Sequence, residues 1–361
     1  MSSLFENRAN KLSNIIADLG YDGFYITNIT NIRYLTGFTG SAGLLFILHN
    51  QAFFFTDGRY IQQSKQQVQN AEIYIISTNY FDAIKKVIKQ FNAGDLKIAF
   101  EATHMSYAYY SDLINNFAKI DWIKTDSIIE NIAAVKDVDE IAALQTAIDI
   151  TDEVFTKIIP EIKSGVTEKH IAARISYLFK THGADGDSYE SIIAAGPNSA
   201  LPHARPTERE FQKGDFIVMD FGALYKGYHA DMTRTVLIGT PSDKHQEIYD
   251  IVLQSNLNGI STAKSGVPCC DVDFACRSII DQHGYGELFN HSTGHGIGLE
   301  VHTLPRIHKN NKILLEKNHV ITIEPGIYIP DWGGVRIEDD CLIEVDRCIP
   351  MNKSTKDLIS I

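Results

Sequence analysis

Cysteine is scarce in this chain and shows no pairing pattern. Cys269, Cys270, Cys276, Cys341 and Cys348 are odd in number and never spaced C-x-x-C. That pattern gives no support for a thiolate zinc site, and it suits a reducing, cytoplasmic setting. The five are expected to be buried apolar fillers. Long apolar runs are missing too: nothing approaches the ~20 residues of a membrane span. The opening stretch MSSLFENRANKLSNIIADLG puts Leu4, Phe5, Leu12, Ile15, Ile16 and Leu19 on one helical face. It has neither the unbroken apolar centre nor the small-residue cleavage site of a signal peptide. Positive charge is not in surplus, since 33 basic residues face 45 acidic ones for a formal net charge of −12. A binder of phosphate backbones shows the opposite balance, so neither a nucleic acid nor a membrane is an expected partner. The G-x-S-x-G elbow and the H-E-x-x-H helix are both absent, and GFTGSAG (37–43) is neither a G-x-G-x-x-G nor a P-loop.

What remains is ordinary globular composition, 44% hydrophobic and 22% charged over 361 residues, enough for two domains. From 20 to about 125, strand-like runs (GFYIT, GLLFIL, AFFFTD, EIYIIS, KIAFEA) alternate with helix-like ones (RYIQQSKQQV, YFDAIKKVIKQF, YAYYSDLINNF). This alternation predicts an α/β domain, and GLLFILHNQAFFFTD reads as a hairpin, so its sheet is expected to be mixed. Helical patterns then cover 137–163, a stretch EKHIAARISYLFKTHG ending at Gly183, 243–264 and 271–283. Strand pairs are expected at 216–223 with 229–238 and at 319–329 with 335–345. We place a domain boundary at 130, giving domains 1–130 and 131–361, the second an α+β domain with helices outside an antiparallel sheet.

Each of those strand pairs carries one acid per strand: Asp220 and Asp231, then Glu324 and Glu338. The repetition suggests two similar halves facing one centre. If the first pair turns at Tyr225 and Lys226, its aspartates are opposite one another, with Cβ atoms about 4.5–5.5 Å apart. The same reasoning puts Glu324 opposite Glu338 across a loop centred on Asp331. Like charges directly opposite are destabilising, so four acids over an apolar sheet imply a cation. Oxygen ligands with an imidazole suit Mn2+, Co2+, Fe2+ or Zn2+ better than Ca2+. Four carboxylates fit two ions about 3.5–4 Å apart, as in dinuclear hydrolases. The nearest imidazoles lie in HSTGHGIGLEVH: His291, His295 and His302. His229, His245, His283, His308 and His319 are expected at the surface or in turns.

The blocks GPNSALPHARP (196–206), MDFGALYKGYHADMTRT (219–235), STGHGIGLEVH (292–302), ITIEPGIYIP (321–330) and GVRIEDD (334–340) resemble the pita-bread metallopeptidases. The likeness is greatest to Xaa-Pro aminopeptidases (aminopeptidase P) and Xaa-Pro dipeptidases (prolidases). NIRYLTGFTGSAG (31–43) and TDGRY (56–60) resemble the creatinase/prolidase N-terminal domain. The resemblance implies a pseudo-two-fold pita-bread catalytic domain and five metal ligands: Asp220, Asp231, His295, Glu324 and Glu338. Asp231 and Glu338 would bridge two ions, Asp220 would complete one and His295 with Glu324 the other. Glu324 would also be the general base. His203, His291 and His302 would surround a proline-containing peptide, with His302 on the tetrahedral intermediate and His291 on the carbonyl side of the proline residue. Arg336 would hold a bridging carboxylate. Two ions per subunit are implied, Mn2+ first and Co2+ or Zn2+ as alternatives, together with a homodimer. Thr303 stands where the family usually has Glu, and Asn290 and Ser292 replace customary glycines, which bears on the shape of the substrate pocket.

The leading expectation is hydrolysis between an N-terminal residue and a following proline, as in aminopeptidase P, with the Xaa-Pro dipeptidase as the alternative. A dipeptidase needs a cation for the substrate's terminal carboxylate, and no motif identifies one. A methionine aminopeptidase is disfavoured by the extra N-terminal region and the LPHARP block. A non-catalytic peptide-binding module is disfavoured by the complete ligand set.

Overall fold

In the computed structural model, which describes residues 4–77, 79–91 and 95–361, the chain divides into two units, Met1–Ala133 and Ala134–Ile361. The first unit runs α1 (Leu4–Asp18), β1 (Gly23–Ile26), α2 (Ile29–Thr36), β2 (Leu44–Leu48), β3 (Gln51–Asp57), α3 (Ile61–Gln67), β4 (Glu72–Ile76), α4 (Tyr80–Gln90), β5 (Leu96–Glu101), α5 (Tyr107–Asn116), β6 (Ile120–Thr125) and α6 (Ile128–Ala134). Its sheet has the order β4-β3-β2-β1-β5-β6. The β1–β2 and β2–β3 pairs are antiparallel, and the others parallel. The mixed sheet follows from the hairpin turn at His49 and Asn50. Both take positive φ (46° and 63°), the conformation a two-residue hairpin turn needs. Tyr25, Phe46, Phe53 and Phe55 fill one side of this sheet. Glu101, buried at the end of β5, accepts from the backbone N–H of Thr27 and Asn28 and from Asn31, which fixes the entry to α2.

The second unit begins with α7 (Val138–Ile158) and α8 (Glu168–Thr181), followed by β7 (Gly186–Asp187), β8 (Ile192–Ala195), β9 (Phe216–Phe221), β10 (Ala223–Tyr225), β11 (Tyr228–His229) and β12 (Met232–Leu237). Then come α9 (Asp243–Thr262), α10 (Cys269–Gln282), β13 (Gly294–Gly296), β14 (Thr303–Ile307), β15 (Val320–Ile323), β16 (Gly326–Ile329), β17 (Gly333–Arg336), β18 (Asp339–Ile343), β19 (Cys348–Pro350) and β20 (Ile359–Ser360). One sheet has the order β20-β12-β9-β8 and another β14-β13-β15-β18-β19. Thr233 and Thr235 bond to Glu338 and Arg336 through backbone and hydroxyl groups, so the two acid-bearing hairpins lie edge to edge. Helices α7 and α8 pack on β9 and β12 through Val154, Phe155, Ile171, Ile175 and Phe179. Helices α9 and α10 cover the other half, with Ile260 of α9 and Val272 and Cys276 of α10 packed on Ile321 and Ile323 of β15. Among the described residues no helix is long and apolar enough to cross a membrane.

The structure corrects three local expectations. The first hairpin turns at Lys226 and Gly227 (φ 48° and 77°) rather than at Tyr225 and Lys226. Glycine accommodates positive φ without cost, and that preference sets the register. Asp220 therefore pairs with Thr233, and Asp231 is its diagonal neighbour on the same face. His319 is buried, 3% exposed, where a surface or turn position was expected. The cysteines divide: Cys269, Cys276 and Cys341 are buried core residues, whereas Cys270 and Cys348 are half-buried.

Candidate metal centre

Asp220 is the penultimate residue of the apolar strand β9, and Asp231 directly precedes β12. In the second hairpin Ile323 pairs with Asp339 and Gly326 with Arg336, a register that sets Glu324 opposite Glu338. His295 sits in the middle of β13 between two glycines. A Cβ at Gly294 would lie 2.0 Å from the Thr322 carbonyl, and one at Gly296 would lie 2.1 Å from that of Leu304. The glycines let neighbouring strands close on His295 from both sides. The five side chains line one cavity of about 620 Å3, together with His203, His291, His302 and Arg336. Ligand atoms of Asp231, His295 and Glu338 lie within 4.8 Å of one another. His295 Nε2 is 3.6 Å from Asp231 Oδ2 and 3.5 Å from Glu324 Oε1.

Burial and mutual repulsion dominate the electrostatics. Burial pushes the Asp231 and Glu338 carboxyls well above the usual range, and the Asp220 charge adds to it at Asp231 and the Asp231 charge at Glu338. Burial raises Glu324 to about 7. Burial lowers His295 to about 4 and His291 to about 3, so both rings are neutral. A carbonyl can only accept, so the contact of His295 Nδ1 with Gly296 O at 3.0 Å places the proton on Nδ1. Nε2 then turns its lone pair toward the acids. Crowded carboxylates that repel one another beside a neutral imidazole fit a divalent cation, which supplies the missing counter-charge.

The surrounding residues hold this geometry. Thr233 Oγ1 donates to Glu338 Oε2 at 2.6 Å and accepts from Arg336 Nε at 3.0 Å. Arg336 forms its ion pair with Asp220, not with either carboxylate expected to bridge, and reaches Glu338 only through Thr233. Its Nη1 donates to Tyr328 OH at 2.9 Å, and that hydroxyl donates in turn to His291 Nε2 at 2.8 Å. Asp340 accepts from the backbone N–H of Asp231 at 2.9 Å. The hydroxyl of Tyr189 bonds to both Asp220 and Asp231. On α10, the fully buried Asp273 accepts from Thr293, and Arg277 donates to the His291 carbonyl, which fixes the loop before His295. Buried Glu168 does the same for the loop carrying His203, accepting from Ala195 N and Thr207 N. His302 packs on His295 with ring centres 4.4 Å apart, and His203 is exposed at the cavity.

Sequence reasoning missed Tyr189, Thr233, Tyr328, Asp340 and Arg306. Only Thr233 had a local signal, as the residue that the glycine-set turn places opposite Asp220. Arg306 lines the cavity from β14, is exposed, and among the described residues forms no ion pair. It is the kind of cation for which no motif was legible.

Two hairpins sharing a buried acid cluster, wrapped by two pairs of helices, define a pita-bread metal-dependent hydrolase. The chain belongs to metallopeptidase family M24: that family's profile matches residues 142–344, and the creatinase/prolidase N-terminal domain matches 8–135. It is 34% identical to an Xaa-Pro dipeptidase of Pyrococcus furiosus, over 98% of this chain and all of that one. The solved structure of an Xaa-Pro dipeptidase from Bacillus anthracis superposes with a TM-score of 0.95 at 38% identity, over 99% of this chain and 100% of that one. An X-Pro aminopeptidase from Thermotoga maritima gives 0.90 at 36% identity, over 98% and 99%.

Proposed function

We propose that this metallopeptidase is an Xaa-Pro dipeptidase that holds two divalent ions on Asp220, Asp231, His295, Glu324 and Glu338. Arg306 carries the choice over aminopeptidase P, because a guanidinium in the cavity wall with no ion pair among the described residues suits the terminal carboxylate of a dipeptide ending in proline. The names of the similar proteins in Pyrococcus furiosus and Bacillus anthracis support the same choice. The aminopeptidase reading stays second, supported by the Thermotoga maritima structure. We assign the chemistry to residues 131–361, Mn2+ as the first metal because the ligand set is mostly oxygen, a homodimer, and a cytoplasmic setting to which free thiols are suited.

When bound, the ions supply Lewis-acid polarisation of the scissile carbonyl and a water acidified from 15.7 toward about 7. The chain's own residues do the rest. Glu324 takes a proton at its carboxylate and delivers it to the proline nitrogen, a role suited to an acid whose burial raises it to about 7. That nitrogen belongs to a tertiary amide without an N–H, so recognition falls on the ring and the carboxylate rather than on a backbone donor. His302 hydrogen-bonds the tetrahedral intermediate, and His203 lines the substrate cavity. His291, tied to Tyr328, stands on the proline side. Arg336 and Thr233 keep Asp220 and Glu338 in place.

The test strips the protein with chelator and restores Mn2+, Co2+ or Zn2+ separately. Ala-Pro, Ala-Pro-Ala and Met-Ala-Ala are then assayed. Cleavage of Ala-Pro well above the tripeptides is expected, with Arg306→Ala raising KM for Ala-Pro at least about tenfold, the scale of a charge-assisted contact. Cleavage of Ala-Pro-Ala between Ala and Pro with equal efficiency would favour the aminopeptidase. No metal-dependent cleavage of any of the three would sink the enzyme reading.

A further inference from the structure

We infer that Asn256, in the middle of α9, is a positioning residue for the metal centre: its side-chain amide sets the spacing of Glu324 and Glu338, and without it the ion on His295 and Glu324 is lost before the ion on Asp220 and Asp231. This rests on the two-ion reading proposed above. Asparagine is a poor choice for a helix interior and a costly one to bury without partners. Asn256 is fully buried, yet every polar atom of its amide is used. Nδ2 donates to the Ile323 carbonyl at 2.8 Å and to the Ile337 carbonyl at 3.3 Å, and Oδ1 accepts from Lys356 Nζ at 3.1 Å. An ammonium can only donate, so Lys356 fixes the amide with Nδ2 toward the two carbonyls. Gly259, one turn along the same face, permits the approach: a Cβ there would stand 2.3 Å from Cys276 Sγ and 3.0 Å from Ile323 Cγ2.

The two carbonyls belong to the residues just before the ligands. A peptide unit is planar, so holding the carbonyl of Ile323 or Ile337 orients the peptide that leads into Glu324 or Glu338. The other edge of each peptide is held separately, with Glu324 N–H on the Thr293 carbonyl at 2.8 Å and Glu338 N–H on that of Thr233 at 3.1 Å. Asn256 is bonded to both peptides. The need for it lies in Pro325. Ile323 pairs with Asp339 and Gly326 with Arg336, so Pro325 stands opposite Ile337, whose N–H reaches the Pro325 carbonyl at 3.4 Å. The reciprocal bond cannot form because proline has no N–H, and Asn256 gives the Ile337 carbonyl a donor instead. The two acids depend on this unequally. Glu338 has a 2.6 Å bond from the Thr233 hydroxyl, whereas the bond from the Thr322 hydroxyl to Glu324 is 3.3 Å. Glu324 is therefore the acid that moves first.

The test strips the full chain and titrates it with Mn2+ by calorimetry, with pulsed electron paramagnetic resonance to detect an imidazole nitrogen on the bound ion. Wild type is expected to take up two ions. Asn256→Asp keeps the size of the side chain and an acceptor for Lys356 but removes both donors. It should weaken uptake of one ion about 10- to 100-fold, the scale for residues that orient ligands, and leave the other nearly unchanged. The ion that stays should show no nitrogen coupling, because His295 belongs to the site that is lost. If the buried aspartate prevents folding, Asn256→Ala, which favours the helix, should show the same split. Equal weakening of both ions, two ions bound as in wild type, or nitrogen coupling on the ion that stays overturns the inference while the two-ion reading stands. Wild-type uptake of one ion or none overturns both.

Discussion

The hairpins at 216–237 and 320–343 carry the same pattern, one acid per strand in an apolar setting, yet they treat their acids differently. In the first, a Lys226–Gly227 turn offsets the pair, Asp220 is compensated within the chain by Arg336, and the Tyr189 hydroxyl lies against both acids. In the second, Glu324 and Glu338 face each other directly, and Glu338 has a threonine hydroxyl but no direct ion pair among the described residues. Asp231 likewise has no lysine or arginine partner among the described residues and is 5% exposed. The comparison teaches that the cation requirement is unevenly spread. Of the four acids, Asp220 has an arginine partner, while Asp231, Glu324 and Glu338 have no lysine or arginine partner among the described residues; burial pushes the Asp231 and Glu338 carboxyls well above their usual range. They are also the two proposed to be shared between ions.

The largest effect should come from breaking that sharing. Asp231→Asn is expected to abolish uptake of both ions and to lower turnover about 10^3-fold or more, the scale of removing a central catalytic group. Elemental analysis and Ala-Pro hydrolysis check it, and a variant retaining two ions with normal turnover would show the ligand assignment to be wrong. The next test loosens the link between hairpins: Thr233→Val removes the hydroxyl between Arg336 and Glu338 and should weaken metal affinity about 10- to 100-fold. Titration of the stripped variant with Mn2+ measures this, and an unchanged affinity would remove Thr233 from the supporting structure.

Two smaller effects concern stability. His319 precedes the second hairpin, and burial, with Lys136 adding, lowers it from 6.5 to about 4. Its Nδ1 accepts from Glu316 N–H at 3.1 Å, a bond that protonation would end. The unfolded chain binds the proton first, so this stability is complete above about pH 6.5 and is lost as pH falls toward 4, at roughly 1 kcal/mol per pH unit. His319→Asn should flatten the acid limb of thermal stability between pH 6.5 and 5, and an unaltered slope would locate that titration elsewhere. The smallest effect is expected at the first turn. Gly227→Ala, at φ 77°, should cost about 1 kcal/mol without altering metal content, whereas the same change at Gly165, outside both hairpins, should leave the site equally intact. Chemical denaturation of the two variants compares them.

Much of this protein was legible because its elements announce themselves locally. The hairpin at His49–Asn50, the four helices of the second unit and the glycine-flanked His295 each follow from a short stretch of chain. The Lys226–Gly227 turn is equally local, but centring the hairpin on its acids places the turn one residue too early, because the positive φ at Gly227 fixes it. The supporting residues were illegible for a different reason. Tyr189, Tyr328 and Arg306 occupy stretches with no distinctive spacing, and they acquire meaning only through partners such as Asp220, His291 and the cavity itself, dozens of positions away.

Two kinds of domain, the periodicity of each element, and four strand-borne acids that an apolar sheet cannot bury without a counter-charge are all written in local order along the chain. Those properties are properties of neighbours along the chain, where side-chain spacing and turn preference act. Which acid receives Arg336, which histidine nitrogen keeps its proton, and which cation stands in the cavity wall without an ion pair among the described residues depend on packing. Coulomb energy and desolvation depend on distance through space, and the chain fixes those distances only once its distant segments have packed.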